Sequence, residues 1–381
     1  MRLKAFSSGL LAIGLVAVAG CSSGSSTATS SSGPAPAGTN VDHAQSLIDQ
    51  YSSEPEFQAP GPAIDAKGIA SGKKIFGLPS NTSAPFIQAT EVAFEQLAKE
   101  VGASVTGWPN QGQTSQWVQG MQTAVSGNSD AITLIDGTDP KLIMPQIVAA
   151  KDAGIPTIDA HDLDVSQEQP PNVAAFVSGH FVTAGQLMAA WAIAETKGQA
   201  NVLLVTSNNY SNSKPVADGI QQEFQADCPS CKITTANVDG PDWPTKIQPT
   251  VQTAITRDPK LNYILPVFDS MLIYVVPGVQ SAGAKGRVKA ASFNGTPAVL
   301  DLVRDSGIVT MDIGEDPTYI AAAALDQTLR VLGDLPPAED EHLVLRVFNA
   351  KNIQEAGVPA KLGQGYGEAG LAGFRKLWGL S

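Results

Sequence analysis

The sequence predicts an α/β protein built from two doubly wound, parallel-sheet lobes. Three observations predict it. Short apolar runs alternate with longer stretches of helical period, the alternation restarts after residue 177, and a body of roughly 310 residues suits two domains of ordinary size.

The elements follow in order. Lys74 to Pro79 is a short apolar run that reads as a strand. Pro85 to Val101 follows with apolar residues at Phe86, Ala89, Ala93, Phe94 and Leu97, a helical period stopped by Gly102. Ser104 to Trp108 and Ala131 to Ile135 read as strands, and Thr114 to Val125 as a helix. Pro140 to Ala153 reads as a helix closed by Gly154, with strands at Pro156 to Ile158 and Val173 to Val177. Strands return at 201–206, 233–238, 263–268, 288–293 and 309–313, separated by helical stretches at 183–196, 216–226, 244–256, 271–282 and 296–303. A last helix spans 317–332, and 342–347 alternates like a strand. Consecutive β–α units of this kind make parallel sheets, which bind ligands beyond the carboxyl ends of their strands.

The first 40 residues are different. Arg2 and Lys4 precede about ten apolar residues, Leu10 to Ala19, too short for a membrane span but suited to a secretory signal. Val18-Ala19-Gly20-Cys21 resembles a bacterial lipobox, which implies a diacylated Cys21 at the mature N-terminus. An acylated cysteine carries the more than one chain that stable membrane anchoring takes. Residues 22–40, rich in Ser, Gly and Pro, read as a flexible tether, and residues 41–71 are mixed, with one short helical pattern around Ala44 to Ile48 and no assigned role. The whole chain carries a net charge of −12, and without Arg2 and Lys4 it has 22 basic against 36 acidic residues, or −14. Such a body is a poor match for nucleic acid, whose phosphates need clustered Lys and Arg.

Cys228-Pro-Ser-Cys231 reads as a structural disulfide in an oxidising exterior, with a redox role as the alternative. The four histidines, at 43, 161, 180 and 342, are scattered, so no metal site and no cofactor is expected. Gly365 to Gly370 matches GxGxxG but follows no clear strand, and it reads as part of a flexible tail. No GxSxG elbow and no acid/base pair of carboxylates stands out, so a secreted α/β enzyme is the weaker reading.

With a lipoprotein signal, a tether and two β/α lobes, the chain resembles the type I periplasmic solute-binding proteins, especially the ribose-binding-like branch that serves ABC importers. The likeness spans about residues 72–350, and its marks are Ala84-Pro85-Phe86, Gly154-Ile155-Pro156 and Phe293-Asn294-Gly295-Thr296. It implies a three-segment hinge near Phe176–His180, Ile313–Pro317 and Glu341–Val344. The expected organisation is then a signal peptide at 1–20 and a lipidated N-terminus with tether at 21–71. Lobe 1 takes 72–178 plus 315–341, lobe 2 takes 179–314 plus 342–355, and 356–381 forms a C-terminal tail.

The same resemblance implies a site. The family's Asn-Pro-aromatic segment is here Ala84-Pro85-Phe86, keeping Phe86, with Asn81 or Ser83 able to replace the lost asparagine. Its Asp-Arg pair is here Asp159-Ala160-His161-Asp162, without the arginine. A family arginine aligns with Val216, three residues before Gly219, and the stacking aromatic aligns with Trp243. The family's Asn-Asp aligns with Phe268-Asp269, its late aspartate with Asn294, and a glutamine with Ile313, beside Asp312 and Glu315. Trp108 and Asn110 are expected at the cleft rim. The expected ligand-binding set is Phe86, Trp108, His161, Asp162, Trp243, Asp269, Asn294 and Asp312. The losses at Val216 and Phe268 point to a ligand with fewer hydroxyls there, or with an apolar part. The implied protein is a lipid-anchored, monomeric, extracytoplasmic receptor for a carbohydrate-like solute, partnered by an ABC permease. A receptor that signals to a membrane sensor would look the same in sequence.

Overall fold

The structure, a computed structural model, describes residue 36 and residues 38–380. The signal peptide, Cys21 and most of the tether lie outside the described residues. No helix among the described residues is long and apolar enough to cross a membrane.

In chain order the helices and strands are α1 (Val41–Gln50), α2 (Ala66–Ala70), β1 (Lys74–Pro79), α3 (Pro85–Val101), β2 (Ser104–Gly107), α4 (Thr114–Ser126), β3 (Ala131–Ile135), α5 (Met144–Asp152), β4 (Thr157–Asp164) and β5 (Ala175–Gly179). They continue as α6 (Phe181–Thr196), β6 (Asn201–Thr206), α7 (Ser213–Asp227), β7 (Lys232–Asn237), α8 (Trp243–Arg257), β8 (Tyr263–Pro266), α9 (Leu272–Ser281), β9 (Lys289–Asn294), α10 (Pro297–Asp305) and β10 (Val309–Glu315). The last three are α11 (Pro317–Leu332), β11 (Leu345–Asn349) and α12 (Ala369–Leu377).

Two sheets result. Lobe 1 has the order β2-β1-β3-β4-β5, and lobe 2 the order β11-β10-β9-β8-β6-β7. All neighbours run parallel except β11, which pairs antiparallel with β10. The interior strands β3 and β6 are buried at every position because helices cover both faces. The edge strands β2 and β7 show no fully buried residue, and charged or hydroxylated side chains blunt them. In lobe 1, α3, α11 and α12 cover one face and α4 and α5 the other. In lobe 2 the helices α6 and α7 touch through Gly185 and Gly219, where an added Cβ would strike the partner backbone.

The chain crosses between lobes after β5, after β10 and after α11. Two further connections exist that the sequence reading missed. Residues 41–71 are not tether: α1 buries Ala44 and Ile48 in the core of lobe 2, and the chain then crosses to bury Ile64, Ala66 and Ala70 in lobe 1. Nor are residues 356–381 a loose tail. Ala356 and Tyr366 lie in the lobe 2 core, whereas Phe374, Leu377 and Trp378 lie in that of lobe 1. The GxGxxG stretch is the connection itself, and Gly365 sits where a Cβ would collide with Phe348.

Buried polar groups of α11 hold both extensions. Arg330 Nε donates to Asp326 Oδ2 at 2.6 Å, and Arg330 also donates to the Pro62 carbonyl at 3.2 Å. Trp378 Nε1 donates to Asp326 Oδ1 at 2.8 Å. Phe57 and Phe374 meet edge to face at 5.3 Å, each also against Tyr319. Truncating a buried aromatic of this size costs about 3–5 kcal/mol. Trp378→Ala is therefore expected to lower unfolding free energy by about that much in urea titration. A change under about 0.5 kcal/mol, the value for an exposed tail, would contradict the packing.

Candidate functional site

A cavity opens between the carboxyl ends of the two sheets, where doubly wound folds place their sites. It is lined from lobe 1 by Ala84, Phe86, Ile87, Asp136 and His161, and from lobe 2 by Tyr210, Asn212, Trp243, Phe268, Ser270 and Asn294. Its volume is about 40 Å³, room for about three waters at ~10–15 Å³ each. The lobes stand closed over it. Asn81 Nδ2 donates to the Tyr210 hydroxyl at 3.3 Å, and Ser211 Oγ donates to Asp162 Oδ1, both across the cleft.

One wall is aromatic. Trp243 opens α8 with Pro244 behind it, a residue that suits the first helical turn. Its indole Nε1 donates to Ser207 Oγ and to the Val238 carbonyl, each at 3.0 Å, which fixes the ring. Tyr210 lies 5.8 Å from Trp243 and 5.7 Å from Phe268, the latter edge to face. Gly240 permits this, since a Cβ there would lie 2.7 Å from the Tyr210 hydroxyl.

The opposite wall is charged. His161 Nδ1 pairs with Asp136 Oδ1 at 3.0 Å, and its Nε2 lies 2.7 Å from Glu315 Oε2 at the end of β10. All three side chains are buried. Burial alone would discharge the imidazole, but the Glu315 and Asp136 carboxylates outweigh it and push His161 up to about 10. Asp136 and His161 both adopt left-handed backbone, φ 56° and 64°, which non-glycine residues rarely do and which concentrates at functional sites. Asp136 Oδ2 and Asn212 Oδ1 are buried without a protein donor, and both residues line the cavity.

Of the expected ligand-binding residues, the structure places Phe86, His161, Trp243 and Asn294 on the cavity. It places the other four elsewhere. Trp108 packs on Phe76 at 6.1 Å and donates to the Gln116 carbonyl, in the loop that follows edge strand β2. Asp162 is the cross-cleft partner of Ser211, and burial raises it to about 7 against that hydrogen bond. Asp269 accepts from the Thr296 amide at 2.6 Å and from its hydroxyl at 2.8 Å, and Asp312 accepts from the Gly295 amide at 2.9 Å. These two carboxylates therefore hold the turn that carries Asn294. Burial raises both, Asp269 to about 7 and Asp312 well above the usual range, where the neighbouring Asp269 adds to it. Asn110 donates to the Pro79 and Trp108 carbonyls, which staples a loop rather than lining a cleft.

The stretch 159–162 lies within β4. β4 runs on to Asp164 through a register break between Ala160 and Asp164, and the bulge turns His161 toward the cavity. Sequence reasoning missed Ala84, Ile87, Asp136, Tyr210, Asn212 and Ser270 as cavity residues, and it treated Phe268 only as a lost polar position. Asp136 could have been found, because Ile135-Asp136-Gly137 ends a clear strand at its carboxyl end. Val216 and Ile313, aligned with polar family positions, lie fully buried in the lobe 2 core.

Comparison with known proteins bears on this architecture. Residues 75–334 match the family model described as a periplasmic binding protein domain. The chain is 24% identical over 251 residues to the D-allose-binding periplasmic protein of Escherichia coli strain K12, covering 64% of this chain and 79% of that one. The Caulobacter myo-inositol binding protein, solved with myo-inositol, superposes with a TM-score of 0.67 at 21% identity, covering 75% and 96% of the two chains. An Agrobacterium vitis solute-binding protein of an ABC transporter, solved with α-D-tagatopyranose, superposes with a TM-score of 0.68 at 19% identity, covering 75% and 97%. These structures share the two-lobe fold.

The charged wall has a pH signature. His161 keeps its proton in the folded protein up to about 10, whereas an ordinary histidine loses it near 6.5. Its pairing therefore stabilises the fold fully below about 6.5 and fades as pH rises toward 10. In urea titrations, the stability advantage of wild type over His161→Gln should be widest near pH ~6 and shrink steadily in alkali. A gap that stays constant with pH would rule out a charged imidazole.

Proposed function

Because this chain belongs to the periplasmic binding protein family, we propose that it is an extracytoplasmic receptor that captures a small carbohydrate-like solute between its lobes and delivers it to an ABC permease. The observation that carries this reading is the cavity itself. It has an aromatic wall of Tyr210, Trp243 and Phe268 on one lobe, and buried acceptors without protein donors, Asp136 Oδ2 and Asn212 Oδ1, on both. A ring with an apolar face and outward hydroxyls suits both features, since aromatic planes stack on C–H faces and orphan acceptors require donors. The ligands of its relatives, D-allose, myo-inositol and tagatopyranose, are of this kind.

At about 40 Å³ the cavity is smaller than usual ligand pockets of ~300–1,000 Å³, so a hexose enters after the lobes part. The two cross-cleft hydrogen bonds, Asn81 to Tyr210 and Ser211 to Asp162, are the contacts that such opening breaks. The protein binds and releases; it catalyses nothing. Phe86, His161, Trp243 and Asn294 contact the solute in this reading, while Asp162, Asp269 and Asp312 position the walls. In this reading the lipobox-like Val18-Ala19-Gly20-Cys21 supplies a membrane anchor through Cys21, outside the described residues, and the receptor works as a monomer on its tether. In that oxidising compartment Cys228 and Cys231, whose Cα atoms lie 5.3 Å apart, form a disulfide that closes the end of α7.

A thermal-shift screen over sugars, polyols, amino acids and nucleosides tests the proposal, because a ligand that binds only the folded state raises its Tm. The expected hits are sugars or polyols; stabilisation by amino acids or nucleosides alone would refute the carbohydrate assignment. With the hit in hand, Trp243→Ala should weaken binding about tenfold or more in calorimetry, whereas Lys260→Ala should leave it unchanged. Equal effects would remove Trp243 from the site.

A further inference from the structure

Far from the cleft, α1 lies on lobe 2 and brings His43 against two carboxylates of α7. Glu223 and Asp227 are four residues apart, so both sit on one helix face. His43 Nδ1 is 2.6 Å from Asp227 Oδ2 and 4.0 Å from Glu223 Oε1, and the three donor atoms all lie within 4.8 Å of one another. Both carboxylate side chains are 6% exposed, yet Glu223 Oε1 has no hydrogen-bond partner. No arginine or lysine pairs with the trio among the described residues. Two buried carboxylates beside one imidazole need a proton or a cation between them.

We infer that His43, Glu223 and Asp227 form a binding site for a divalent transition-metal ion of the zinc type, which staples α1 to α7. The chemistry of the donor set selects that class. One imidazole nitrogen and two carboxylate oxygens are zinc ligands, and calcium or magnesium would call for oxygen alone. Donors around a tetrahedral zinc at ~2.0–2.2 Å stand about 3.3 Å apart, between the shorter and longer separations of this trio. His43 is 56% exposed, so its ring can shift outward and the ion has a route from solvent. Three protein ligands leave the fourth position to water.

The backbone prepares the site. The side chain of Asn40 caps α1 by accepting from the His43 amide at 3.2 Å, and the Asn40 amide donates to the Asp227 carbonyl at 2.8 Å. These bonds seat His43 over the end of α7 with or without the ion. The metal would then fix the helix that follows the tether onto the body of lobe 2, and cation supply would govern how firmly it is held. The pattern is invisible in sequence because His43 and Asp227 are 184 positions apart. It is independent of the solute reading.

The test is calorimetric titration of Zn²⁺ into the untagged full chain after stripping with EDTA. We expect one equivalent of zinc, a raised Tm, and binding at least tenfold weaker in His43→Ala and in Glu223→Gln. Because His43 is exposed, His43→Ala should fold normally, which its metal-free Tm checks. A Cys228→Ser/Cys231→Ser variant should bind as wild type does. The inference is overturned if wild type takes up no zinc, if His43→Ala binds as tightly as wild type, if removal of the cysteines abolishes binding, or if Ca²⁺ competes on equal terms.

Discussion

A charged imidazole buried where two lobes meet is the constraint on which the site depends. His161 sits between Asp136, at the carboxyl end of β3, and Glu315, at the carboxyl end of β10. One partner belongs to the sheet of lobe 1 and the other to the strand from which the chain crosses back to it. Taking His161 away would leave two carboxylates in a dry place without their counter-charge, which is costlier than losing an ordinary surface pair. The arrangement also justifies the left-handed backbone at Asp136 and His161, since the bulge in β4 is what turns the ring into the junction.

Around that junction the two walls are made differently. The lobe 2 wall is held by aromatic packing and by the Trp243 indole bonds to Ser207 and Val238. The turn bearing Asn294 is held by Asp269 and Asp312, whose oxygens take the amides of Thr296 and Gly295. Acidic residues near a cleft are thus divided between those that face the cavity and those that shape it. Asp136 belongs to the first group; Asp162, Asp269 and Asp312 belong to the second.

The terminal extensions add a further restraint. α1 docks on lobe 2 while residues 57–70 reach lobe 1, and Tyr366 and α12 make the same journey from the other end of the chain. The Tyr51 carbonyl accepts from the Val347 amide at 2.7 Å, beside strand β11, and the Leu377 carbonyl accepts from the Ile64 amide at 2.8 Å. Hinge motion between the lobes must therefore bend five connections rather than three. The buried Asp326–Arg330 pair on α11 anchors the lobe 1 ends of both extensions.

The sequence by itself determined the two lobes, because a short apolar run and a helix of period 3.6 report burial locally, one element at a time. Helices α3 and α11 and strands β1, β3 and β6 carry their boundaries in their own residues and neighbouring Gly or Pro. Phe86 and Trp243, which line the cavity, were expected there through the family resemblance, which aligns them with its contacting aromatics. Only the tertiary structure decided which polar groups meet. Glycine and proline in residues 51–71 and 356–368 read as loose chain, yet that chain is pinned by partners far away in sequence. Likewise, whether an aspartate faces a cavity or braces a turn depends on the direction of its side chain and on a donor from another segment. Such pairings are formed by folding, and no local period records them.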